Sequence, residues 1–210
     1  MDHRLLVFCL AAAVLIVVPG PSVVFAVGRA LSVGRRRALA AVAGNELGLM
    51  VQVAAVAGGL GALVTGSAVA FTALKLAGAA YLVVLGVNAI RHRHEAFASL
   101  GRAGTVPDGR RGAGRAVLDG LAVGALNPKS AVFFTAFLPQ FVDPGAPVAG
   151  QVLLLGAMFT GIALVLDSLW VLAAGTARAW FARSPRRLGV VGGTGGVVMI
   201  GLGVGVAVSE

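Results

Sequence analysis

Six apolar stretches dominate this 210-residue chain, and each is long enough to cross a bilayer as a helix. They run approximately over Leu5–Val27, Ala38–Val64, Ala68–Ile90, Leu118–Phe141, Ala149–Ala174 and Leu188–Val208. Six helices of about 20 residues would use roughly 120 positions, leaving about 90 for loops and ends. With 58% hydrophobic and 12% charged residues, the chain has far more apolar surface than one soluble core could absorb. The same arithmetic excludes disorder. The expectation is an all-α, polytopic membrane protein with six transmembrane helices. It forms a single domain over residues 1–210, with helices 1–3 in about 5–90, a linker in about 91–117 and helices 4–6 in about 118–208.

The net charge of +9 could point to nucleic acid, but one Tyr, two Trp and Phe buried in apolar runs offer no stacking platform. Membrane topology explains the charge better. Fourteen arginines fall in three loops: Arg29, Arg35, Arg36 and Arg37 after helix 1; Arg91, Arg93, Arg102, Arg110, Arg111 and Arg115 after helix 3; Arg178, Arg183, Arg186 and Arg187 after helix 5. The opposite side offers only Arg4. By the positive-inside rule the arginine loops are cytoplasmic and both termini extracytoplasmic, in a bacterial plasma (inner) membrane. A cleaved signal peptide is the rival reading of the first segment, with Val24-Phe25-Ala26 as a loose cleavage site. The run continues past its prolines, however, and removing it would leave five spans.

The Gly-rich linker Arg91–Arg115 divides the chain into two sets of three helices. Helix 1 carries Pro19-Gly20-Pro21-Ser22-Val23-Val24-Phe25, and helix 4 carries Asn127-Pro128-Lys129-Ser130-Ala131-Val132-Phe133. Ser, Val and Phe coincide at an offset of 108, with a proline in each break. An odd number of helices per half makes any repeat a 3+3 inverted one, as in many secondary transporters. Each proline frees a backbone carbonyl, which in hydrocarbon needs a partner or a water-filled cavity. Two broken helices facing each other would suit a small zwitterionic or polar solute; two structural kinks are the plainer alternative.

Four charges lie within the spans: Glu46 in helix 2, Lys75 in helix 3, Lys129 in helix 4 and Asp167 in helix 5. Each costs about 2.5–3.5 kcal/mol at a bilayer centre on insertion scales, so each must pair, face the interior or snorkel. Lys75 is close enough to the outer end for its stem to reach the headgroups. Lys129 is the deepest of the four and the least able to escape. Glu46 and Asp167 lie toward the cytoplasmic half, and either could pair with Lys129 or take and release a proton. Asn45, Ser22, Ser130, Gln52 and Thr135 can add neutral hydrogen bonds, or act only as glue between helices.

On these residues the chain resembles the LysE/RhtB family of amino-acid exporters. Three motifs carry the resemblance: Pro19-Gly20-Pro21, Asn127-Pro128-Lys129, and the run from Lys75 through Gly78, Ala79, Tyr81, Leu82 and Leu85 to Gly86, which fits K-x-x-G-A-x-Y-L-x-x-L-G. Gly44 and Gly48 in helix 2 also resemble the family pattern. The resemblance implies efflux of amino acids or close derivatives, driven by the proton gradient or an equivalent ion gradient. Glu46 and Asp167 are not part of the matched pattern, so their role rests on burial alone. Tyr81 either caps the solute path or bonds a carbonyl in the core.

The remaining features are quieter. Cys9 can form no internal disulfide and reads as a small core residue. His92 and His94, with Glu95, sit in the basic linker, where solvation is the ordinary fate of such a pair. Gly192, Gly196, Gly201 and Gly205 form two small-xxx-small pairs that would suit a homodimer or internal packing equally well. No nucleophile–base pair lies in the spans and no cofactor motif is present, so an enzyme is not expected. Export of divalent metal is the alternative within transport, but only Glu46 and Asp167 offer ligands at depth.

Overall fold

The computed structural model describes residues 3–18, 20–66, 68–91, 112–143 and 145–182, together with residues 193, 197, 199–201, 203–205 and 207–208. The described residues are helical with short connections and contain no strand. The first apolar stretch is two helices, α1 (His3–Val17) and α2 (Pro21–Val33). Then come α3 (Arg35–Gly66) and α4 (Ala68–Arg91). The fourth stretch is α5 (Ala113–Ala125), the short α6 (Pro128–Val132), a π turn (Phe133–Phe137) and a 3-10 turn (Leu138–Phe141). The fifth is α7 (Val148–Ala182), and the described residues of 193–208 are helical.

Helices α3 and α7 outrun the apolar stretches that announce them. Hydropathy marks only the part suited to hydrocarbon, whereas the backbone ladder continues into charged ends such as Arg35–Arg37. Within them, Arg35–Gly59 and Val148–Ala174 are each long and apolar enough to span a membrane. Two further candidates are bent: α1 with α2, by 50°, and α5 with the segment Pro128–Phe141, by 43°. The helical start of α5 at Ala113 also takes up the end of the expected linker.

The surface is inverted relative to a soluble protein. Leu154 is 61% exposed and Val165 59%, whereas Glu46, Lys129 and Asp167 are 7%, 8% and 3% exposed. Water would penalise that arrangement; a hydrocarbon solvent favours it.

Two features fix the frame. Helices α3 and α5 touch backbone to backbone. A Cβ at Gly44 would strike the Val117 carbonyl, and one at Gly48 the Leu121 carbonyl. Reciprocally, a Cβ at Gly120 would strike the Ala41 carbonyl and one at Gly124 the Asn45 carbonyl. This is the close approach that small residues four apart permit. Opposite the α2 end, an aromatic cluster of Phe8, Phe133, Phe137 and Phe141 joins α1 to the turns after α6, with Phe8–Phe141 centroids 5.3 Å apart and Phe133–Phe137 4.8 Å apart. Phe159 of α7 completes it, 4.9 Å from Phe133.

The far end of α2 is polar. Arg29 lies over the Phe25 ring and donates to Asp119 of α5, to which Arg115 also bonds at 3.1 Å. The arginine-bearing ends of α2 and α5 therefore meet at one end of the bundle. Gly34, at φ +91°, lets the chain leave α2 and enter α3 at once.

Of the glycines in the last apolar stretch, Gly192 and Gly196 lie outside the described residues. Gly203 meets the Ala79 carbonyl of α4, whereas Gly201 and Gly205 face open space. His92 and His94 also lie outside the described residues.

Candidate functional site

The two helix breaks come together in the middle of the bundle. After Val17 the first helix stops, Gly20 takes an extended conformation (φ −124°, ψ −168°), and Pro21 opens α2. Proline suits the first helical position because that N–H has no intrahelical partner in any case. The break leaves the Val18 carbonyl without an intrahelical donor. Lys129, from the second break, donates its Nζ to that carbonyl at 2.7 Å. Gly20 leaves room for the approach: a Cβ there would lie 3.1 Å from Lys129 Cδ and 3.4 Å from Nζ.

The second break is held by its own Asn127 and Ser130 together with Gln52 of α3. Asn127 caps α6, its Oδ1 accepting the Lys129 N–H at 3.0 Å. Gln52 of α3 reaches across and donates Nε2 to the carbonyls of Ala125 and Asn127, each at 3.0 Å. The single Ser130 hydroxyl proton has two acceptors in reach, Gln52 Oε1 at 2.9 Å and the Asn127 carbonyl at 3.1 Å.

A polar chain links the breaks to α3. Asn127 Nδ2 donates to Ser22 Oγ at 2.8 Å, Ser22 Oγ to Asn45 Oδ1 at 2.9 Å, and Asn45 Nδ2 to Glu46 Oε1 at 3.1 Å. The chain ends unfinished, because Glu46 Oε2 is buried without a hydrogen-bond partner. So is Oδ1 of Asp167 on α7.

These groups line a half-open pocket whose free volume, about 30 Å³, holds little more than a water molecule. Gly20, Ser22, Asn45, Asn127, Lys129, Ser130 and Asp167 supply its polar wall; Leu15, Ile16, Val23, Leu49, Phe159 and Ala163 supply the apolar one. Lys129 and Asp167 line it together without closing an ion pair; the described ion pairs are those of Asp119 with Arg29 and Arg115. Among the described residues no group of three His, Cys, Asp or Glu is placed to hold a metal ion.

The structure thus gathers Gly20, Asn127, Lys129 and Asp167 at one cavity, with Pro21 and Pro128 forming its helix starts and Glu46 one bond away through Asn45. Pro19 lies outside the described residues. Lys75 is on α4, with its side chain outside what is described. Tyr81, also on α4, is 36% exposed and does not line the cavity. The motif of α4 serves packing at Gly78, where a Cβ would strike Ala136 after the second break.

Sequence reasoning did not find the Val18 carbonyl, Phe159 or the glycine pair Gly120 and Gly124. The last carries a readable signal, a further small-xxx-small pair that begins seven residues before Asn127.

Comparison with known proteins agrees over nearly the full length. The LysE type translocator family matches residues 13–210. The chain is 34% identical over 209 residues to an uncharacterized membrane protein of Vibrio cholerae, covering 99% of this chain and 98% of that one. It is 31% identical to the homoserine/homoserine lactone efflux protein of Salmonella typhimurium, covering 86% and 84%. It is 24% identical to the leucine efflux protein of Klebsiella pneumoniae, covering 93% and 91%. No solved structure matches it. A chain of apolar helices with buried charges at a pair of helix breaks, matched from residue 13 to its last residue, belongs to the LysE type translocators, a family of membrane transporters.

Proposed function

We propose that this protein is a secondary exporter of amino acids or close derivatives across the bacterial plasma membrane. The observation that carries the reading is the meeting of the two helix breaks, where Lys129 of one bonds the freed Val18 carbonyl of the other at a shared cavity. Free backbone groups and a buried cation at such a point are what a small polar solute needs in order to leave water. The names of the homoserine and leucine efflux relatives support amino acids as the class carried.

In this reading the chain is one domain of six spans, three on each side of the linker, related as an inverted repeat. The pairing of Arg29 with Asp119 supports it, because it sets the arginine-bearing ends of the first and fourth spans on one side. That side is cytoplasmic, and both termini are outside.

Export is coupled to protons through Glu46 and Asp167. Their unpartnered oxygens support this role, since a buried carboxyl without a partner is stabilised by taking a proton or a cationic neighbour. The substrate path runs past Gly20, Pro21, Asn127, Pro128 and Lys129.

The test is release from proteoliposomes loaded with a mixed amino-acid panel, with and without an imposed proton gradient. Wild type releases one class of amino acid, and Lys129→Ala, shown to be inserted, falls to the level of empty vesicles. Glu46→Gln or Asp167→Asn removes the response to the gradient. Failure of folded, inserted wild type to release any amino acid would overturn the reading.

A further inference from the structure

The cavity is chemically unfinished at both signs of charge. The Lys129 ammonium has three donors and spends one, on Val18. The Asp167 carboxylate, 3% exposed, keeps Oδ1 without any partner. Both groups line the same space, yet they do not close on each other. A buried cation and a buried anion that stay apart in one cavity are costly unless something else completes them.

The N-terminus of α2 opens on the same space. Its cap is Gly20, which has no side chain to offer, so no side chain satisfies its first N–H groups. Ser22 and Val23, whose amides lie in that first turn, line the cavity. A helix start of this kind attracts an anion, and Lys129 stands beside it. The acceptors available are the Val18 carbonyl, once Lys129 leaves it, and Asp167 Oδ1.

Resting on the export reading above, we infer that the site recognises the α-ammonium and α-carboxylate of an amino acid together, as one zwitterion, and that the Lys129–Val18 bond holds the place of the substrate. The carboxylate draws Lys129 off the Val18 carbonyl and settles between its Nζ and the start of α2. The ammonium takes the vacated Val18 carbonyl and Asp167 Oδ1. Both unfinished charges are then completed by one ligand, and the side chain of that ligand is left to the apolar wall of Leu15, Ile16, Leu49, Phe159 and Ala163. No bond is made or broken covalently.

The assignment separates the backbone of the substrate from its side chain, which makes it testable without knowing the amino acid. Purified wild type is titrated, by thermal shift in detergent, with each amino acid of a full panel. Each is matched with the amine that lacks its carboxylate and the acid that lacks its ammonium. The amino acid that binds should lose about tenfold to a hundredfold in affinity when either group is removed, the cost of one charge-assisted hydrogen-bond set. Lys129→Met should abolish the discrimination against the amine, and Asp167→Asn the discrimination against the acid. Should these variants not fold, the wild-type panel decides alone. An amine or acid that binds within about threefold of its parent overturns the assignment. So does the absence of any amino-acid shift while vesicle release persists. Absence of both binding and release overturns the export reading beneath it.

Discussion

The two helix breaks use one device and finish it in opposite ways. Each ends a helix at a small or capping residue and restarts it at a proline, Pro21 in the first and Pro128 in the second. The second break is closed by several short side chains, two of its own and one from α3. Asn127 caps the new helix, Gln52 bonds the Ala125 and Asn127 carbonyls, and Ser130 holds Gln52. The first has a capless Gly20, and its Val18 carbonyl is met only by a side chain borrowed from the second. A carbonyl held by one long, flexible side chain is released by a single exchange. A break held by several short bonds is not. The second break is therefore the fixed wall of the site and the first is its adjustable one.

Four substitutions test that contrast, each read as unfolding free energy in mixed micelles beside transport. Gln52→Leu should cost most. It strands the Ala125 carbonyl, at about 1–3 kcal/mol, while the Asn127 carbonyl keeps the Ala131 N–H, and it should lower stability and transport together. Asn127→Ala follows, at about 1 kcal/mol for the lost cap, with a further loss where Ser22 no longer has its donor. Lys129→Met should change stability by less than about 1 kcal/mol, because removing a buried cation offsets the carbonyl it strands, while transport is lost. Gly20→Ala should be smallest, about 0.5 kcal/mol or less, because the new Cβ meets only the flexible Lys129 side chain, at Cδ and Nζ, which can shift slightly on the Val18 carbonyl. If Gly20→Ala proves costlier than Asn127→Ala, the first break is not the adjustable one.

Much of this site was legible in the chain. Proline in an apolar run announces a freed carbonyl, and counting residues from the span ends singles out Lys129 as the charge with least escape. Gln52, Asn45, Ser22 and Ser130 were identifiable as polar residues that had to find partners. What they would partner was not legible, because Gln52 lies more than seventy positions from the carbonyls it holds. Nor was the choice between the two acids. Both turn out close to the cavity, Asp167 in its wall and Glu46 behind Asn45. Tyr81, prominent in the most specific motif, is not in the cavity wall; the helix that carries it, α4, instead packs through Gly78 against Ala136. The aromatic cluster escaped notice because its rings come from three separate stretches, and because a π turn resets which residues of Phe133–Phe137 face inward.

The contact between α3 and α5 bears on how such a molecule can move. Four glycines put carbonyl against Cα along both helices, with no side chains between them to act as rollers. Helices in that register neither slide nor rotate without losing the whole seam. Yet α3 precedes the linker and α5 follows it. The mechanical division of the protein is therefore not the division of its chain: α3 and α5 form a common keel, drawn from both sides of the linker. Opening the cavity then falls to helices outside that keel: α2 is pinned to it by Arg29–Asp119 and Ser22–Asn45, which leaves α1, joined to α2 across Gly20, as the part placed to swing.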